Sequence, residues 1–263
     1  MVGIKNFIKT LPESFKALKW YEWLMIAIMT AIALNSMVSA FLFPTEDGNP
    51  GWLSIINFIS AICGILCIFF TAKAHISNFI FGTLNTVVYV IYLAYWHIYG
   101  TMCLEIFVYF PIGIISWITW YKNRADESAV RTKARKLNPY QNLLVAVIVT
   151  VATAIYHWLL VKVGGEVAWL DAMTVSIGIA ATVLEMLRYR EQYIWWLITD
   201  FVAVAMFIVH FDPVYLTKKT IYLIMAVIGL INWIKLSKQD ETTNIEKTAT
   251  ACDCKSIYIF YDI

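Results

Sequence analysis

Eight apolar runs of about 20 residues succeed one another along the chain, at roughly 23–43, 52–71, 76–96, 98–120, 141–163, 168–187, 191–209 and 215–236. Polar residues inside the runs come singly and do not alternate with apolar ones, so each run reads as a helix rather than a strand. A helix of about 20 residues crosses a hydrocarbon core roughly 30 Å thick. It also satisfies its own backbone hydrogen bonds, as a bilayer requires, whereas a transmembrane barrel would show short alternating segments. The pattern predicts an all-α polytopic membrane protein with eight transmembrane helices.

The segments between the runs complete this plan. In residues 1–20, Ile4, Phe7, Ile8, Leu11, Phe15 and Leu18 share one helical stripe opposite Lys5, Lys9, Lys16 and Lys19, the pattern of an amphipathic helix lying in the membrane interface. Residues 122–140 are polar and basic and read as a solvated loop, and residues 237–263 as a polar, Thr-rich tail. The composition is 60% hydrophobic and 14% charged with mean hydropathy +0.69, which excludes a soluble enzyme. With the N-terminus inside, 17 of the 20 basic residues fall on the inner face and only Lys162, Lys218 and Lys219 on the outer one. By the positive-inside rule both termini are cytoplasmic. The outer connections carry Glu46, Asp47, Glu166 and Asp212.

Two stretches resemble each other. Gly113 to Trp117 matches Gly229 to Trp233, and the run from Asn78 to Asn85 matches that from Tyr193 to Asp200. This predicts a 3+1+3 core: a three-helix unit over 51–121, a connector at 141–163, and a second unit over 166–236, with 23–43 as an extra N-terminal span. An odd number of crossings separates the copies, so they are parallel, a design in which transporters place a site near the midplane.

Ionisable groups inside a span are costly and mark function or pairing. Asp200 lies mid-span with Tyr193, Trp196 and Phe207 on its face, a setting suited to a flat polar or cationic solute. An interhelical bond of a paired Asp is the structural alternative. Asn85 holds the matching place in the first unit, with Asn78, Tyr89 and Tyr92 on its face, and interhelical hydrogen bonding is the competing role. Glu105 lies about a turn and a half into its span, followed by Tyr109. Glu185 is expected to snorkel and pair with Arg188, His157 and His210 to be interfacial, and Trp195 to pack or face lipid. Trp20, Trp23, Trp52, Trp96, Trp120 and Trp169 read as an aromatic belt, and Gly113 and Gly229 as close-packing positions. Cys63, Cys67, Cys103, Cys252 and Cys254 form no metal-ligand spacing, and no nucleotide-binding motif is present, so neither a metal nor a cofactor is expected. An intramembrane enzyme could be assembled from Asp200, Glu105 and His157 only by assumption; a structural or sensory protein is the other class.

Taken together, Trp196-x-x-x-Asp200 preceded by Gln192, the run Asn78 to Tyr92, Tyr99-Gly100, and the closing Gly113-x-x-x-Trp117 and Gly229-x-x-x-Trp233 resemble the Pnu family of bacterial vitamin transporters over residues 51–238. The resemblance implies a fold related to the SWEET sugar transporters, a homotrimer in the inner membrane, and no nucleic-acid partner. It also implies facilitated diffusion of an unphosphorylated vitamin that a cytoplasmic kinase then traps. Nicotinamide riboside is the expected solute, with thiamine or riboflavin, and ion coupling, as alternatives. Carried over by position, Gln192, Tyr193, Trp196 and Asp200 form the substrate element, joined by Asn78, Asn85, Tyr89 and Glu105. Glu105 stands where many relatives would have an uncharged polar residue.

Overall fold

The computed structural model describes residues 11–43, 50–125, 130–163, 168–209 and 213–259. Residues 1–10 of the amphipathic segment, Glu46, Asp47, Glu166, His210, Asp212 and the side chains of Phe207, Lys218, Cys252 and Cys254 lie outside the described set. The helices are α1 (Trp20–Leu42), α2 (Gly51–Ala72), α3 (Asn78–Tyr95), α4 (Tyr99–Leu104), α5 (Phe110–Lys122), α6 (Pro139–Val163), α7 (Ala168–Met186), α8 (Gln192–Val209) and α9 (Pro213–Ile259). A π-helical turn, Glu105–Tyr109, joins α4 to α5. Pro111 explains it: the residue has no N–H to give to the carbonyl one turn back, and its ring needs room there, so the helix widens just before it.

Six described stretches are long and apolar enough to cross a membrane: Trp20–Leu42, Gly51–Ala72, Asn78–Tyr95, Tyr99–Lys122, Pro139–Lys162 and Lys219–Thr243, with Ala172–Met186 a shorter apolar helix. The chain is a multi-pass, all-helical membrane protein. Within it α2, α3, α5, α7, α8 and α9 touch in a closed circuit in that order, α9 returning to α2. The helix α1 leans on α2 from outside, and α6 leans on α7. The last helix runs on through the polar segment expected to be a tail; after Gly229 no Gly or Pro interrupts it, and its Lys, Gln, Glu and Asp residues are compatible with helix.

At the face carrying residues 123–137, here the loop face, α2 and α7 end with the same backbone device. Ala74 and Arg188 adopt left-handed φ of 56° and 65°. Around them His75 N donates to Phe70 O at 3.0 Å and Tyr189 N to Leu184 O at 2.9 Å, while Ala74 N reaches Thr71 O and Arg188 N reaches Glu185 O, each at 2.9 Å. These are Schellman closures built without glycine. The donors and acceptors of these two closing bonds recur 114 positions later in the second turn.

That recurrence corrects the register of the internal match. At 114 residues, Asn78 corresponds to Gln192, Phe79 to Tyr193, Gly64 to Gly178, and Thr86 rather than Asn85 to Asp200. Trp120 and Trp233 are 113 apart, and their indole N–H groups bond across the circuit, to Glu185 O at 2.8 Å and Thr71 O at 2.9 Å. The π-helical turn lies between the two registers and takes up the one-residue difference. Trp120 is accordingly no interfacial anchor: it and Trp233 are fully buried, 5.5 Å apart, with Phe79 edge-on to Trp120 and Tyr193 tilted on Trp233. Gly229 packs closely, because the Tyr193 ring fills the space a side chain would need, but Gly113 faces open space and packs on nothing.

The loop is not a solvated link. Val130, Thr132, Ala134 and Leu137 are buried, and bridges pair His75 with Arg131 and Arg135 with Tyr189, so one segment bonds to both turns. Asp240 of α9 accepts from Arg131 Nη1 and Nη2 at 3.3 and 3.2 Å and from Ala134 N at 2.8 Å. Glu191 accepts from Leu137 N at 3.1 Å. The described end of the amphipathic segment also packs on protein rather than lipid: Ser14 bonds Ser77 at 2.7 Å, and Phe15 and Leu18 join the cluster of Phe69 and Phe70. Buried Glu22 fixes α1 beside α2 through Lys73 at 2.9 Å.

Candidate functional site

One face of α8 carries Gln192, Trp196 and Asp200 at four-residue steps, which stacks them along the helix. Gln192 is fully buried, and neither its amide oxygen nor its amide nitrogen has a hydrogen-bond partner among the described residues. A buried amide bare at both ends is costly unless water or a ligand completes it. Trp196, one turn on, packs against the Phe79, Trp120, Tyr193 and Trp233 cluster. Asp200 is buried and paired: Lys219 Nζ of α9 lies 3.2 Å from Oδ1 and 5.5 Å from the Tyr222 ring. Lys219 therefore sits within α9 as the counter-ion of Asp200 and not in an outer connection.

The corresponding residue to Gln192, Asn78, is also fully buried. Its Nδ2 donates to Thr71 Oγ1 at 2.8 Å and to Glu185 Oε1 at 3.3 Å, while its Oδ1 is without a partner among the described residues. Glu185 was expected to snorkel toward Arg188. Instead it points into the helix circuit, because the left-handed Arg188 turns the chain away and sends its own Nη1 to Lys133 O at 3.3 Å. This carboxylate is the site residue the sequence reading missed; the signal was its position 114 after Thr71, hidden by a register one residue out.

Asn85 and Tyr89 part company with this group. Asn85 Oδ1 accepts from Ser60 Oγ at 2.8 Å against Gly64, which makes it interhelical glue between α2 and α3. Tyr89 stacks on Tyr92 at 6.0 Å and lines a crevice of about 490 Å³ toward the other face, with Ser36, Ser54, Asn57 and Tyr222. Glu105, on the π-helical turn, accepts from Thr86 Oγ1 at 3.2 Å. Trp195 packs on Leu137, Leu184 and Tyr189. Among the described residues no group of three His, Cys, Asp or Glu could hold a metal. Outside the spans, His75 is held neutral: burial first, then Lys73 and Arg131, pull its pKa from 6.5 to about 4.

Residues 54–235 match the family described as Nicotinamide mononucleotide transporter. The chain belongs to this family of membrane transporters. It is 32% identical over 250 residues to the protein named nicotinamide riboside transporter PnuC of Neisseria mucosa, covering 89% of this chain and 92% of that one. The protein of the same name from Haemophilus influenzae is 32% identical over 192 residues, 72% of this chain and 81% of its own. A structure titled "Crystal structure of the Vitamin B3 transporter PnuC" superposes with TM-score 0.65 at 29% identity, covering 85% of this chain and 94% of that chain. The family match takes in α3, α5, α7 and α8, and so every residue considered for the site.

Proposed function

We propose that this family member carries nicotinamide riboside across the bacterial inner membrane by facilitated diffusion, with the loop face and both termini cytoplasmic. The carrying observation is Gln192, a buried amide bare at both ends and stacked in line with Trp196 and Asp200, in a chain whose relatives are named for this solute. A planar amide and a ring are what such an amide and indole can bind, by paired hydrogen bonds and stacking. The working unit is a 3+1+3 core, 51–121, 141–163 and 166–236, whose two parallel three-helix units rock about the Trp120–Trp233 contact to expose the site alternately. The recurring turns and the crossed indole bonds support two like units. A homotrimer and a cytoplasmic kinase that traps the solute complete the reading.

The family description names the phosphorylated nucleotide and the relatives' names the riboside. The site residues favour the riboside, since a phosphate wants free Arg or Lys and the lysine beside this site, Lys219, is already paired with Asp200. The test is uptake into proteoliposomes of radiolabelled nicotinamide riboside and of its 5′-phosphate, with and without an enclosed kinase. Riboside uptake that equilibrates without kinase and continues with it is expected. Uptake of the phosphate alone, or of neither, would overturn the proposal. Thiamine is the second reading: it is cationic too, so a half-buried carboxylate such as Glu105 suits it as well as it suits the riboside.

A further inference from the structure

The charges within the membrane do not cancel among the described core residues. Asp200 and Lys219 neutralise each other at 3.2 Å. Two core carboxylates meet no cation among the described residues: Glu185, at the loop-face end of its helix, meets the Asn78 amide at 3.3 Å, and Glu105, at the depth of Asp200, meets a hydroxyl, Thr86 Oγ1 at 3.2 Å. The Asp200–Lys219 and Thr86–Glu105 pairs hold corresponding places. Each joins residues 19 apart, Thr86 lies eight residues past Asn78 as Asp200 lies eight past Gln192, and Glu105 precedes Lys219 by the same 114 residues that separate the twin turns. At about 1.5 Å per residue Thr86 and Asp200 each stand about 12 Å along their helices from the loop face, and Glu105 and Lys219 meet them there from the neighbouring helices. One unit thus offers acid with base, and the other acid with hydroxyl, at one depth.

Glu105 also sits on the π-helical turn, a local widening that such helices often place at working positions. A carboxylate at this depth is costly until a cation joins it. A solute that claimed Asp200 would have to strip it from Lys219 and leave a buried ammonium unpaired, which is the expensive outcome for a broken buried pair. The geometry points to Glu105, and not Asp200, as the group that reads the positive charge of a flat cationic solute such as a pyridinium riboside. This rests on the vitamin-carrier reading and adds to it a specificity determinant: Trp196 and Gln192 take the ring and amide, Glu105 takes the charge, and the Asp200–Lys219 pair serves as a neutral polar wall.

The test is titration calorimetry of the full chain in lipid nanodiscs with nicotinamide riboside and with its 1,4-dihydro form, which has the same groups but no charge. The wild-type protein is expected to prefer the cation by about tenfold or more, the scale of one desolvated charge contact. Glu105→Gln removes that preference through weaker cation binding, with the dihydro form bound within about twofold of wild type, which also reports that the variant is folded. The double variant Asp200→Asn/Lys219→Met keeps the preference, because the net charge beside the solute is unchanged. Three results overturn the inference: a preference intact in Glu105→Gln, equal loss of both forms in that variant, or a preference abolished by the double variant. If the wild-type protein binds neither form, it is the nicotinamide reading that fails, and the role of Glu105 is then measured with thiamine against uncharged riboflavin.

Discussion

Removing the carboxylate of Asp240 should loosen the loop face by an amount that the structure allows to be worked out. Three bonds end on that side chain: Arg131 Nη1 at 3.3 Å, Arg131 Nη2 at 3.2 Å and Ala134 N at 2.8 Å. Asp240→Ala orphans the N–H of Ala134, a residue 6% exposed, at a cost of about 1–3 kcal/mol for an unpaired buried donor. The ion pair adds less. The Arg131 side chain is 24% exposed, and solvent screening brings its share down to about 1 kcal/mol. The expected loss is therefore about 2–4 kcal/mol. Asp240→Asn keeps an acceptor for Ala134, and Arg131→Ala leaves that bond untouched, so each should cost only about 1 kcal/mol. The assay is unfolding in detergent followed by tryptophan fluorescence, with limited proteolysis across residues 123–137 as a local readout. An Asp240→Ala protein within about 0.5 kcal/mol of wild type, or an Arg131→Ala protein less stable than it, would refute the assignment of the backbone bond as the dominant one.

Three further outcomes are expected. His75 is neutral in the fold with a pKa of about 4 against 6.5 unfolded, so stability is intact above about pH 6.5 and falls by about 2–3 kcal/mol as pH drops toward 4; pH-dependent unfolding should show this slope, and a His75→Gln protein with the same slope would remove His75 as its source. Gly229→Ala places a methyl group in the Tyr193 ring, and overpacking of this kind should cost about 1–3 kcal/mol by thermal unfolding, whereas Gly113→Ala, which faces open space, should be within about 0.5 kcal/mol of wild type. Equal effects would deny the difference in packing. Glu22→Ala leaves Lys73, whose side chain is 11% exposed, without its 2.9 Å partner; a loss of about 3 kcal/mol and faster protease cleavage ahead of α1 are expected, and unchanged cleavage would mean that the pair does not hold α1 in place.

Helix positions were legible in the sequence because each span needs a continuous apolar run, and most observed ends fall within a few residues of those runs. What the hydropathy pattern could not carry was direction. Glu185 and Lys219 sit near helix ends in sequence, where a long charged chain normally reaches for water, yet a left-handed turn in one case and the neighbour Asp200 in the other keep them inside. Trp120 was misread for a related reason: an indole at the end of a span belongs to the aromatic belt unless a carbonyl across the bundle claims its N–H. The loop defeated composition altogether. Its buried positions are Val130, Thr132, Ala134 and Leu137, set among basic residues, and the alternation that seats them is short. Gln192, Trp196 and Asp200 were found as a row, but a partner 19 residues away changed what the carboxylate is free to do. Asn85 was drawn into the row by a one-residue error of register, which short apolar matches cannot reveal.

The π-helical turn also bears on inheritance. If the two halves descend from one ancestral unit, they have come to differ between Asn78 and Trp120 by a single residue against the span Gln192 to Trp233, and the surplus has been kept inside a helix rather than trimmed in a connection. Grafting between the halves then has one seam. Segments exchanged wholly before Glu105 or wholly after Tyr109 stay in phase, whereas a segment that carries the turn without its flanking proline brings an extra residue and no cause for the widening, and turns every later side chain by about 100°.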